Sequence, residues 1–461
     1  MQGLRQPDAL LLAALRDAPR RYRLPPLPDG IEAASASAPE AALAFAVEGA
    51  RKARHHRAPP PAGLRDLFTR SLATLIRASL AADGGDPSFQ ALALRTRDAD
   101  VGEYVRLARQ APVDRRAVRA ATDAFAHPGK LRAMAAGPLR DALGRVHELA
   151  AAGEWAVLAG ELRQLAMDPR EGDQLQAASG VLLASPALAR LHRLDELLQR
   201  EAVRRYLDLC GQHGPAAGSD AASAQGRASA RTGEAGEQAT VQAFRGIAQL
   251  LEHSGGDPGG MHVVRGLRTP RGFPGAADKA KEEWDAAIVR SDGGGAADIL
   301  LLAEVKASPA AATPDFSRLH RGLQRLAHAS GERSYVFPSA DGEVHVSGGS
   351  LRRLQPEGRA LPAHVIYCCS APPEVQPPLL GAASKAVLLA EPASLAFAGQ
   401  LARRGSPPDA VLAPVWDALT TAPRLRSALH QDETSRAVRE AMLHPADLLA
   451  AVAAQVEGPS A

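Results

Sequence analysis

Residues 299–307 read ILLLAEVKA, and this run decides the fold of the second half of the chain. Four aliphatic residues in succession, reached through a glycine-rich turn, predict a strand buried on both faces. Side chains two apart in a strand share a face, so Glu304 and Lys306 point one way while Ala303 and Val305 point the other. An otherwise apolar strand thus ends in two charges on one face. Residues 284–290, WDAAIVR, place Asp285 in a second run of buried-strand character, and a tight glycine turn at residues 293–295 lets the two runs lie side by side. Asp285, Glu304 and Lys306 are therefore expected to converge.

A lone buried carboxylate has a raised pKa and costs several kcal/mol, roughly, unless something compensates it. Two carboxylates near each other suit a hard divalent cation such as Mg²⁺ or Mn²⁺, and Asp285 and Glu304 are the expected metal ligands. The lysine then has two available roles: helping to orient or deprotonate an attacking water, or neutralising charge that builds on a phosphate. A fourth group comes from residues 232–251, TGEAGEQATVQAFRGIAQLL, where Thr232 is a plausible N-cap and Glu234 suits the first helical turn. Glu237 lies one turn before Val241 and two before Phe244, so it opens the apolar stripe expected to face the sheet.

The order helix with Gly-Glu, strand, strand with Asp, strand with Glu-x-Lys, helix resembles the PD-(D/E)xK nuclease superfamily, the restriction-endonuclease-like fold. The resemblance covers residues 232–328, and the later strands loosely. It implies that Asp285 and Glu304 bind the metal, that Lys306 assists the water, and that Glu237 is the first-helix glutamate. The spacing of 19 residues between Asp285 and Glu304 fits the family, while Trp284 stands where the family often has proline. With 6 lysines and 51 acids in 461 residues, chance supplies roughly 0.7 acid-x-Lys triplets. The weight therefore rests on context: this is the only such triplet, it ends the most apolar strand-like run, and two acids precede it in the right order.

Around this core, residues 261–267, 334–337, 364–370 and 386–391 also read as strands, and residues 313–329 as a helix with Thr313 as N-cap and Pro314 in the first turn. Phe316, Leu319, Leu323 and Leu326 form the apolar stripe of that helix, leaving Arg318, Arg321, Gln324, Arg325 and His328 elsewhere. Arg321, Gln324 and Arg325, with Arg268 and Arg271 in the loop RGLRTPRG, are the expected nucleic-acid contacts. A solvated basic face is an equally good account of most of them.

Residues 1–210 read as successive helices rich in Ala, Leu and Arg, among them 39–54, 63–84, 98–109, 138–151, 154–167 and 187–209. Residues 211–230, GQHGPAAGSDAASAQGRASA, have the composition of a flexible linker. The expected organisation is an all-α domain over 1–210, the linker, an α/β domain over 231–400 with a central mixed sheet flanked by helices, and a helical segment over 401–461.

Composition bounds the function. Formal net charge is +3, too small to argue for nucleic acid from the whole molecule. Six lysines stand against 48 arginines, which makes each lysine worth inspection. Three cysteines, two of them adjacent at Cys368 and Cys369, build no disulfide framework and suit a reducing compartment. Residues 9–15, ALLLAAL, read as an amphipathic helix, and no later run reaches the roughly 20 apolar residues of a membrane span, so a cytoplasmic protein with no membrane partner is expected. No phosphate-cradling GxxxxGK[ST] loop is present. The expected function is metal-dependent phosphodiester hydrolysis of nucleic acid, DNA before RNA, with a possible protein partner for the helical domain. Two other classes compete: a non-catalytic nucleic-acid-binding or scaffold protein carrying a nuclease-like domain, and a metabolic barrel enzyme, for which residues 1–210 supply almost no strands.

Overall fold

A computed structural model describes residues 6–168, 172–214, 219–255, 260–291 and 295–458. The chain forms two compact units, one of residues 1–75, 217–388 and 409–461, the other of residues 76–216 and 389–408. The division differs from the expected one. Residues 1–75 and 409–461 belong with the α/β unit, because their apolar side chains complete its core.

The α/β unit is built on a mixed five-stranded sheet of strand order β1-β2-β3-β6-β7. Strands β1 (Met261–Arg268), β2 (Glu283–Arg290) and β3 (Asp298–Val305) form an antiparallel meander, and β6 (Val365–Cys368) and β7 (Met442–Leu443) continue it in parallel. Strands β4 (Ser334–Ser339) and β5 (Gly342–Ser347) make a separate antiparallel pair. This open mixed sheet is not the repeated strand–helix alternation of a barrel enzyme. Helix Asp220–Gly255 covers one face with Gln6–Asp17 and Pro445–Glu457; Phe244, Ile247 and Leu251 meet Leu301, Ala303 and Leu448 there. The other face carries helix Ala312–Leu326, whose Phe316, Leu319 and Leu323 pack on Ala287, Leu302 and Tyr367. The apolar run of β3 exists because it feeds both cores at once.

Several elements depart from expectation. Residues 211–213 finish helix Glu201–His213, and residues 220–230 are the first turns of helix Asp220–Gly255, so the linker reading fails on them. Alanine is the best helix former, and the apolar stripe docked on the sheet lets the helix propagate backwards through a segment with no stripe of its own. Thr232 consequently lies inside the helix, its hydroxyl donating to the Ala228 carbonyl at 3.1 Å. Residues 215–218, and 293–294 of the expected glycine turn, lie outside the described residues. Residues 386–391 are the end of helix Ala382–Leu389 and the turn before helix Pro392–Ala402, not a strand; a short apolar run carries no period that tells the two apart. Thr313 is not a cap, since helix Ala312–Leu326 begins one residue before it.

The second unit is helical throughout its described residues. The expected helices over 138–151 and 154–167 are Pro138–Ala152 and Trp155–Met167, joined by a turn at Gly153, φ +81°, a left-handed cap that suits glycine. The expected single helix over 187–209 is two, Pro186–Leu198 and Glu201–His213. Among the described residues no helix is long and apolar enough to cross a membrane.

Candidate active site at the end of the central strands

The site forms where β2 begins and β3 ends. Gly266, at φ +57°, interrupts the β1–β2 ladder between the pairs Arg265–Ala286 and Leu267–Trp284, opposite Asp285. Asp285 is half-buried and its Oδ2 accepts the Val305 N–H at 2.7 Å, tying the start of β2 to the end of β3.

Glu304 is 2% exposed. Its Oε1 accepts from the Lys281 ammonium at 2.6 Å and the Lys306 ammonium at 2.7 Å, while Oε2 is buried with no hydrogen-bond partner among the described residues. Burial, then the Asp285 charge, push its pKa up to about 8 despite the two lysines. Burial alone would lower the Lys306 ammonium, but Glu304 and Asp315 outweigh it and hold it above the ordinary lysine value. Asp315 Oδ2 stands 3.1 Å from Lys306 Nζ, at ion-pair distance but outside hydrogen-bond alignment. Tyr367 pairs with Glu304 across the β3–β6 ladder, and its fully buried hydroxyl has no hydrogen-bond partner among the described residues; burial, then Asp315 and Glu304, raise its pKa.

Glu237 reaches the site from the opposite face. Gly236 is buried in helix Asp220–Gly255, where a Cβ would stand 3.3 Å from Val305 Cγ1, so glycine lets the helix close on the end of β3. Glu237 and Asp285 line one cavity of about 720 Å³ together with Glu283, Arg245 and Arg265. Burial, then Asp285, Glu283 and Glu234, raise the Glu237 carboxyl. Glu304 and Lys306 do not line this cavity. They lie on the sheet face of helix Ala312–Leu326, and Asp285 is electrostatically coupled to Glu237 on one side and Glu304 on the other. The four expected residues are thus brought to one strand end, but not into one open chamber.

The basic residues divide. Arg268 is exposed and paired with Glu283 at 3.1 Å, and Arg271 and Gln324 are exposed. Arg325 is 7% exposed and held by Glu282 at 2.7 Å and the Phe273 carbonyl, so the expected phosphate contact does not apply to it as placed. Arg321 donates twice to the Lys279 carbonyl, at 2.9 and 3.1 Å. Both arginines pin the loop of residues 269–282, and that loop delivers Lys281 to Glu304. Lys281 was not among the expected site residues, and neither was Asp315. Lysine scarcity was the available signal for the first; for the second, a first-turn helix acid carries none.

The donor set fits a hard divalent ion. Asp285 and Glu304 offer carboxylate oxygens, and Glu304 Oε2 has no hydrogen-bond partner among the described residues. Among the described residues no group of three His, Cys, Asp or Glu side chains is arranged to hold a metal. Mg²⁺ takes only one or two carboxylates and keeps its waters, which is compatible with a two-carboxylate site. Comparison of the chain with protein-family models, curated proteins and solved structures finds no match in any of the three.

Proposed function

We propose that the α/β unit is a PD-(D/E)xK-like phosphodiester hydrolase that acts on nucleic acid, DNA in preference to RNA, with Mg²⁺ or Mn²⁺ held by Asp285 and Glu304. One observation carries the reading: on adjacent strand ends stand Asp285 and, beside Lys306, a buried Glu304 whose Oε2 has no hydrogen-bond partner among the described residues. The order of helix, three antiparallel strands, helix and then, after the β4–β5 pair and a short helix, a parallel strand supports the restriction-endonuclease-like assignment.

In this reading water attacks phosphorus and the bond to the leaving oxygen breaks. A bound divalent ion supplies positive charge for the phosphate oxygens and a more acidic water. The raised pKa of Lys306 favours the second of its two available roles: an ammonium that neutralises charge on phosphate, fixed by Glu304 and Asp315. Lys281 shares the Glu304 oxygen and holds that carboxylate in one orientation. Glu237 stands on the approach from the cavity, and Arg268 and Arg271 offer backbone contacts beside it.

The double lysine clamp also favours a second reading, a nuclease-like scaffold in which Lys281 and Lys306 merely neutralise a buried carboxylate. Incubating the protein with single- and double-stranded DNA and RNA, with Mg²⁺ or EDTA, separates the two. Metal-dependent cleavage lost in Asp285→Ala and Lys306→Ala supports the hydrolase; a well-folded wild type that cleaves nothing supports the scaffold.

A further inference from the structure

The helical unit has a cavity of its own, of about 350 Å³. Gln90, Ala93, Leu94 and Arg97 fall at helical spacing on one face of helix Pro87–Arg97, and Leu94 and Ala93 are buried. Arg205 and Leu209 come from helix Glu201–His213 one turn apart, and Leu401 from the last turn of helix Pro392–Ala402. Arg77 completes the rim with its guanidinium over the Phe397 ring, 5.3 Å from the centroid. The Gln90 amide donates to the Ser79 and Ala81 carbonyls, at 3.3 and 2.7 Å, and fixes the turn that forms one wall.

The chemistry of this lining is one-sided. Three of its residues are arginines, none is acidic, and the floor is leucine and alanine. Two other arginines of the unit are engaged with acids, Arg190 with Asp114 at 2.7 Å and Arg193 with Glu103 at 2.8 Å. Arg97 and Arg205 are exposed and have no ion-pair partner among the described residues. Planar forked donors above an apolar floor complement a ligand with an anionic head and an apolar body, and the volume is near the lower end of small-molecule pockets, about 300–1,000 Å³.

We propose that this cavity is a binding site for a small amphipathic anion, an organic phosphate, sulfonate or carboxylate whose apolar body rests on Leu94, Leu209 and Leu401 and whose head is held by Arg97 and Arg205. It is independent of the hydrolase reading, since no residue of the strand-end site takes part.

The test titrates the full chain with 8-anilino-1-naphthalenesulfonate, which has both halves, and with N-phenyl-1-naphthylamine, which lacks the charge. Saturable binding of the sulfonate is expected, weakened by about tenfold or more in Arg97→Ala/Arg205→Ala, as the loss of charge-assisted hydrogen bonds requires. Arg97→Lys/Arg205→Lys keeps the charge and should retain most of the affinity, which separates recognition from misfolding. Competition by dodecyl phosphate or by phenyl phosphate tells whether the natural body is a chain or a ring, and displacement by either supports the proposal. Equal sulfonate binding by wild type and Arg97→Ala/Arg205→Ala, equal binding of the uncharged amine, or no saturable binding would overturn it.

Discussion

Glu304 concentrates the chemistry at the scale of single residues. It binds its proton more tightly in the folded chain than in the unfolded one, so folding loses stability as pH rises from the ordinary carboxylate range through about 8. A divalent ion competes with that proton. Mn²⁺ affinity, followed by calorimetry between about pH 6 and pH 9, should therefore strengthen with pH and level off above about 8. An affinity flat over this range would remove Glu304 from the ligand set. Strand parity made Glu304 and Lys306 readable as neighbours, and the structure pairs them at 2.7 Å. Lys281 was hidden because its place depends on how residues 269–282 fold back on helix Ala312–Leu326, through Arg321, Arg325 and the Lys281 N–H to the Arg318 carbonyl. Such contacts have no local period.

At the scale of elements, two glycines set how closely helices approach the site. A Cβ on Gly322 would stand 2.8 Å from the Lys281 carbonyl oxygen and 3.1 Å from Trp284 Cζ2, so backbone or a buried ring would have to move. Gly322→Ala should cost about 1–3 kcal/mol in denaturant unfolding. Gly236→Ala meets only the side chains of Val305 and Ser370, at 3.3 and 3.6 Å, and should cost less. A Gly322→Ala variant as stable as wild type would contradict the packing that fixes Lys281. The meander and its flanking helices were legible because β1, β2, β3 and helix Ala312–Leu326 carry apolar patterns long enough to define a face. Strand β7 is two residues long, and helix Ala382–Leu389 is eight. Neither offers enough sequence for a period, and tertiary packing decides both.

At the scale of the whole molecule, the expected 231–400 domain lacks parts of its own core. Leu11, Leu15, Leu448 and Val452 pack with the face of helix Asp220–Gly255, and Tyr22, Val438 and Met442 with the other. The Tyr22 hydroxyl lies 2.6 and 2.7 Å from the Cys369 and Ala371 carbonyls. A fragment of residues 231–400 should accordingly show no cooperative thermal transition by circular dichroism, whereas the full chain does. Sequence composition could not reveal this, because distant segments join a core by shape rather than by vocabulary. The central claim is metal-dependent hydrolysis at Asp285, Glu304 and Lys306. It is tested most directly by the cleavage rate of labelled DNA in Mg²⁺, wild type against Lys306→Ala at matched folding. The predicted result is cleavage abolished by EDTA and slowed about a hundredfold or more by the substitution; equal rates in the two proteins would contradict the account.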